Sequence, residues 1–564
     1  MKKAKKLIAI ALTLVMALVL LAACQPAGDG PAHTPGPGHT PGTGTGPGTG
    51  SGAGDQFGPD THEPGAIGIR TLPWDLPEGT QFIDHIEILP TVSPATVLSI
   101  LSPAAGGGTA NAVYTMILDR LLQLDDDVET IIGSLAHTWH TDDAIHWTFY
   151  LEQGVYFHNG DYFTAQDVYD TIQLARAAPG SNAADYWRVV DVINIVDDYT
   201  IELTLFDPSP DFSFFLTMPQ AGILNRRAVE EDPIEGLWVG TGAFTIDRFY
   251  SGMAIYMLRN DNWWGLRYRM VPTRSVVIRT VHEGSARTIM MMNGEAHFTN
   301  APLEDDFPMF RDNPDFVYLT PLANTTFYLA FNMRDEITGD RNFRLAVAHA
   351  LNRDDIAFLG TGGYGYAPDN GTLWGPLTPM RNNDLPLHHF DPDLARQYLA
   401  ASNYDGRSIS IAVSMPQPLQ SVEVVAENLE AIGINVNINR TDSATLAAMH
   451  NPEVNTGHIV FHSASWMPPP SFISTMARST GAINRASMAD PYLDDLLDRA
   501  AIEPNVETRR EMYLRIQELM WEDLPYLSMF YRYRLWVAPA GFGGVRVANV
   551  GLNYDYRFVF KVAS

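Results

Sequence analysis

Cysteine is almost missing from this chain: Cys24 is the only one in 564 residues. With no second thiol to pair with, the core must hold without disulfide staples. Basic residues are also scarce, Lys and Arg numbering 37 against 65 Asp and Glu, for a net charge of −28. That balance argues against nucleic acid as a partner and against electrostatic docking on anionic lipid. Solubility is its plain reading. Beyond the first two dozen residues no apolar run approaches the roughly 20 residues that span a bilayer. Motifs of hydrolytic chemistry are absent too, with neither Gly-x-Ser-x-Gly nor His-Glu-x-x-His in the chain. The run Asp125-Asp126-Asp127 reads as a solvated loop rather than as carboxylates facing a cleft. His137-x-x-His140 and His388-His389 lack the cysteine or carboxylate company of a zinc site. Neither an enzyme nor a metal or cofactor centre is expected.

What is present begins at the N-terminus. Lys2, Lys3, Lys5 and Lys6 precede an apolar run from Leu7 to Leu21, which ends in Leu21-Ala22-Ala23-Cys24. A charged start, an apolar stretch too short to span, and small residues before a cut are the parts of an export signal. The ending resembles the lipobox of bacterial lipoproteins, which implies a signal peptide over 1–23 and lipidation of Cys24. Two acyl chains on one cysteine would hold the protein stably on the outer face of the cell membrane. Loss of the four lysines would leave the mature chain more acidic still. Residues 24–56 are nearly all Gly, Pro, Thr, Ser and Ala. Such a segment has nothing to bury and serves as a disordered tether with an end-to-end distance of roughly 30 Å.

From about Gln81 onward strand and helix patterns alternate, the mark of a mixed α/β protein. Trp147, Phe149 and Leu151 alternate with Thr148 and Tyr150 as in a half-buried strand, and Asn159-Gly160 follows as a turn. Thr164 is placed to cap a helix whose apolar face carries Val168, Ile172 and Ala175. Ile201, Leu203 and Leu205 mark another strand. Phe343, Ala346, Val347, Ala350 and Leu351 trace one helix face, and Val422, Val425, Leu429 and Ile432 trace another. Gly433 stands where a left-handed C-cap belongs, and Ile434, Val436 and Ile438 then alternate as a strand. Met512, Ile516 and Leu519 predict a last long helix before the aromatic run Tyr526 to Trp536.

Several segments in order resemble extracytoplasmic solute-binding protein family 5, which includes dipeptide- and oligopeptide-binding lipoproteins. The fullest match runs from His146-Trp147-Thr148-Phe149-Tyr150-Leu151 through Phe157-His158-Asn159-Gly160 to Thr164-Ala165-Gln166-Asp167-Val168. It departs from the family pattern by Asn159 for Asp and Glu152 for a basic residue. Val196-Asp197-Asp198-Tyr199-Thr200, Gly240-Thr241-Gly242-Ala243-Phe244, Arg259-Asn260-Asp261-Asn262-Trp263-Trp264, Leu329-Ala330-Phe331-Asn332, Phe343-Arg344-Leu345-Ala346 and Leu351-Asn352-Arg353 follow in the family's order.

The resemblance implies a two-lobed, periplasmic-binding-protein-like fold with a hinge and an extra subdomain in the first lobe. The first lobe is expected over 57–112, 236–320 and 531–564, the subdomain over 113–235, and the second lobe over 321–530. A monomer is implied, taking a peptide or other small solute between its lobes and handing it to the permease and ATPase of an ABC importer. The candidate ligand contacts are Trp466 and Met467, Trp374 in a Gly/Pro-rich loop, Gly107, Asn111 and Tyr114 after the opening strand, and Thr241 and Gly242. Peptide-binding members carry an aspartate shortly after the tryptophan, where it pairs with the peptide's amino terminus. Here Trp466 runs into Met467-Pro468-Pro469-Pro470. Either an anchor comes from elsewhere, such as Asp442, or the solute is a glycan fragment, a modified peptide or a metal chelate. The match places His158 in the subdomain as a packed turn histidine. A surface sensor using the same cleft is a further reading.

Overall fold

The computed structural model describes residues 76–90, 98–102, 108–125, 130–178, 180–300, 302–414, 418–448, 459–465, 470–547 and 554–562. Cys24 and its tether, Gly107, Trp466 and Met467 lie outside the described residues.

Two large sheets organise the chain. The first has seven strands among the described residues, in the order Phe316–Leu319, Trp536–Pro539, Phe298–Thr299, Ile86–Leu89, Ser275–Arg279, Ala254–Arg259 and Phe244–Tyr250. Ile86–Leu89 runs parallel to both its neighbours, Phe298–Thr299 and Ser275–Arg279. All of its residues are buried, as a parallel strand covered on both faces requires.

The second sheet runs Gly365–Tyr366, Tyr526–Tyr533, Leu322–Phe331, Ile459–Ser465, Ile409–Ser414 and Val436–Thr441. Alternate side chains of its central strand enter opposite cores, because successive residues of a strand point to opposite faces. Phe327, Leu329 and Phe331 join Ile411, Phe461 and Met529 on one face. Tyr328 and Ala330 join Trp374, Leu496 and Tyr513 on the other. Phe327 and Phe530 stack with ring centroids 4.4 Å apart. Burial of each such side chain contributes roughly 1.5–3 kcal/mol.

A smaller antiparallel sheet pairs Ala136–His140, His146–Leu151, Thr200–Leu205 and Val190–Asp197 in that order. Trp147, Phe149 and Leu151 point inward while His146 and Tyr150 face out. The helix Ala165–Arg176 is capped by Thr164, whose N–H donates to Asp167 Oδ2 at 2.9 Å. Its core is continuous with that of the seven-stranded sheet, so this subdomain belongs to the first lobe.

Among the described strands the chain passes between the two large sheets at only two places, between Leu319 and Leu322 and between Tyr533 and Trp536. The crossings lie side by side. Leu319 pairs with Trp536, Leu322 pairs with Tyr533, and Arg534 N–H donates to Pro321 O at 2.8 Å. This is a two-stranded hinge, short enough to concentrate rotation in a few backbone dihedrals.

The sequence patterns hold with one shift. Gly433 adopts φ +98° and Ile434 N–H donates to Leu429 O at 3.0 Å, closing the helix Leu419–Ala431 as a left-handed cap. In the helix Val506–Asp523 the buried face is Arg509, Tyr513, Ile516, Gln517 and Met520, while Met512 and Leu519 are half-buried. The apolar stripe expected from Met512, Ile516 and Leu519 is turned by one residue because two polar side chains, Arg509 and Gln517, occupy inward positions.

Candidate functional site

The motif residues of the first lobe converge on one junction. Gly240 and Gly242 press against the end of the helix Gly108–Ile117. A Cβ on Gly242 would stand 2.5 Å from Met116 O, so only glycine allows the approach. The closeness lets Gly242 N–H donate to Ile117 O at 3.1 Å. Thr241 Oγ1 donates to Asp119 Oδ2 at 3.1 Å, and the indoles of Trp263 and Trp264 donate to the same oxygen at 3.2 and 2.7 Å. The turn histidine packs here too. Gly240 N–H donates to His158 Nδ1 at 3.2 Å, which leaves Nε2 to donate to Gly242 O at 3.0 Å. That pattern requires the neutral ring, and burial lowers the His158 pKa accordingly. Asn111 Oδ1 accepts from Gln220 Nε2 at 2.7 Å, and Tyr114 is buried in the same helix, its hydroxyl pKa pushed up by that burial. The structure thus gathers Thr241, Gly242, Asn111 and Tyr114 in the interior of the first lobe, with side-chain or backbone partners from the fold itself.

In the second lobe Trp374 is fully buried against Tyr513, with ring centroids 5.6 Å apart. Arg381 bonds Asp369 Oδ1 at 2.7 Å and the Tyr531 hydroxyl at 3.2 Å. Burial alone would lower the Arg381 pKa, but Tyr531 and Asp369 outweigh it and the net direction is upward. The Tyr366 ring packs on Tyr531 and Tyr533. Because Tyr533 pairs with Leu322, this aromatic and arginine cluster stands at the hinge end of the sheet. The strand Ile459–Ser465 reaches the same end, where Ser465 Oγ lies 3.0 Å from Thr325 Oγ1; the chain continues from there to Trp466. Asp442 is occupied locally: Thr445 N–H and Oγ1 donate to its two carboxylate oxygens at 2.9 and 2.6 Å.

Among the described residues the lobes touch in two places. Near the hinge, Arg532 lies 3.4 Å from Glu304, and Tyr364 meets Phe307 edge-on at 5.0 Å. On the subdomain side, Arg509 Nη2 and Ser471 Oγ each donate to Asp211 Oδ2 at 2.6 Å. The two charged side chains are only 7% and 10% exposed. Asp211 precedes the helix Phe212–Phe215, held in the subdomain by Phe212 against Trp147 at 5.4 Å. Arg509 is fixed from behind by its Nε–H, which donates to Ala500 O at 3.1 Å. Sequence reasoning missed this contact. The available signal was Arg509 standing four residues before Tyr513, in phase with the buried stripe.

Among the described residues no group of three His, Cys, Asp or Glu side chains is arranged to hold a metal, and no helix is long and apolar enough to cross a membrane.

Residues 130–484 match the family model described as bacterial extracellular solute-binding proteins, family 5 Middle. The chain belongs to that family. This solute-binding protein is 25% identical over 501 residues to the probable ABC transporter periplasmic-binding protein SapA of Escherichia coli (strain K12), covering 82% of this chain and 89% of that one. It is 24% identical over 475 residues to heme-binding protein A of Haemophilus influenzae, covering 78% and 84% of the two chains. The solved structure of the periplasmic binding protein DppA from Helicobacter pylori in complex with the peptide STSA superposes with a TM-score of 0.73 at 23% identity, over 86% of this chain and 99% of that one. The fold is the two-lobed one of periplasmic binding proteins. Its relatives are binding proteins rather than enzymes, and so is this chain.

Proposed function

We propose that this solute-binding protein captures oligopeptides, or a related small solute, between its lobes and delivers them to the permease of an ATP-driven importer. The observation that carries the reading is the pair of lobes joined by two short crossings and able to meet at Asp211 and Arg509, a geometry suited to enclosing a solute. The names of SapA and of peptide-bound DppA support the peptide class. Lipidated Cys24 and the Gly/Pro/Thr tether hold a monomeric body at the outer face of the membrane, free to reorient toward the permease. Trp466 stacks on the solute with Met467 beside it, because an indole face suits apolar groups and cations alike. Gly107 adds to the wall facing it, while Asn111, Tyr114, Thr241, Gly242 and Trp374, buried within their own lobes, hold the walls from behind without touching the solute.

A second reading, a non-peptide solute, is favoured by one observation. Trp466 is followed by Met467 and three prolines rather than by an aspartate, and a buried ammonium without a carboxylate is costly. The heme-binding relative keeps that class open. Native mass spectrometry of the protein purified gently from peptide-containing medium separates the two. A ladder of short-peptide masses is the expected result; a single non-peptide mass overturns the peptide reading in favour of the second.

A further inference from the structure

Arg120 enters the first-lobe interior just beyond the helix Gly108–Ile117 and is only 6% exposed. Its Nε and Nη1 have no hydrogen-bond partner in the protein. The side chain lines a cavity of about 60 Å³ together with Thr115, Thr217, Arg546, Asp555 and Arg557. Among the described residues that wall carries three guanidinium groups and one carboxylate. The nearby acids are already committed. Asp555 takes Arg557 through Nε at 3.0 Å and Nη2 at 2.8 Å, and Asp119 Oδ2 accepts from Thr241, Trp263 and Trp264. Burial and the adjacent Arg557 lower the Arg120 pKa to about 10, so it remains a cation at neutral pH.

Arg353, an equally buried arginine, spends its donors within the fold. It gives its N–H groups to the carbonyls of Ser528, His388 and Ala348. Arg120 does not, and an uncompensated buried charge is strongly unfavourable. We propose that the cavity at Arg120 is a site for a small monovalent anion, a halide or a one-carbon carboxylate. A water needs roughly 10–15 Å³ of such space, so about 60 Å³ is room for a small ion such as bromide or formate against the guanidinium groups. The anion completes the hydrogen bonds of Arg120 and ties Thr217 of the subdomain to the C-terminal segment Tyr554 to Arg557. It is a structural ligand, separate from the solute between the lobes.

The test uses the full chain exchanged into sodium gluconate. Its melting midpoint is followed as bromide replaces gluconate at constant ionic strength. A ligand that binds only the native state raises the midpoint with the logarithm of its concentration once above Kd. The midpoint is expected to rise in the native protein and to lose that dependence in Arg120→Met. A native midpoint indifferent to bromide overturns the proposal. Should Arg120→Met fail to fold, crystals of the native protein in bromide give the same decision. An anomalous peak within hydrogen-bonding reach of Arg120 Nε or Nη1 is expected, and an empty cavity in that map overturns it.

Discussion

The hinge and the Asp211 contact both join the lobes, one through two backbone crossings and the other through a single buried carboxylate. The hinge is laddered by strand pairing at Leu319 with Trp536 and at Leu322 with Tyr533, and survives any rotation about it. The Asp211 contact exists only while the lobes meet, because its partners Arg509 and Ser471 belong to the other lobe. A buried ion pair gives up hydration on both sides, so its net worth is far below its Coulomb attraction. Opening returns that hydration. The contact therefore selects one closed geometry more than it adds stability, whereas the hinge defines the path between geometries.

The largest effect is expected from removing one partner of the contact. Arg509→Met leaves Asp211 buried without its cation, at a cost of about 3–5 kcal/mol in the closed form. The chain escapes that cost by opening, so small-angle scattering of the solute-free variant should give a larger radius of gyration than the parent. An unchanged radius would mean the contact does not hold the lobes together.

Acid provides a perturbation that bypasses the contact. His297 in the first lobe and His388 and His462 in the second all have pKa values pushed down to about 4, burial being the leading cause in each. Their neutral forms are the native ones: His297 Nδ1, for instance, accepts from Glu87 N–H at 3.0 Å. Since the unfolded chain binds protons first, near pH 6.5, this stability is complete above that value and is lost as the pH falls toward 4. The melting midpoint should drop across that window by similar amounts in the parent and in Arg509→Met. A drop confined to the parent would place the titrating group in the contact instead.

The smallest effect belongs to the hinge-side pair of Arg532 and Glu304, whose side chains are 39% and 40% exposed. Exposed pairs contribute about 0–1 kcal/mol. Glu304→Gln should change solute affinity by less than about fivefold in calorimetric titration, in contrast to Arg509→Met.

Local patterns were legible because the information that fixes them lies close along the chain. The strand at Trp147, Phe149 and Leu151, the cap at Thr164 and the left-handed turn at Gly433 each follow from a few neighbouring residues. The long final helix was legible in place but not in phase, since Arg509 and Gln517 are polar side chains that face inward. Partners far apart in sequence left no such signal. Nothing beside Asp211 announces a cation 298 residues away. Thr241 and Gly242 read as candidate ligand contacts. The close packing of Gly240 and Gly242 on Met116 and Ile117 depends on a helix that only the folded chain brings to them.

The two-place crossing also has a consequence for how the molecule is made. Every described strand of the second sheet lies between Leu322 and Tyr533, so that sheet has all of them before the last stretch of the chain has been made. The first sheet holds Trp536–Pro539 between Phe316–Leu319 and Phe298–Thr299, and it waits for the last stretch to arrive. Long-range pairing of that kind is slow and leaves edges open to wrong partners until it is done. The lobe whose strands begin first is the one finished last, and a chain cut short before Trp536 would carry a sewn second lobe beside an unsewn first.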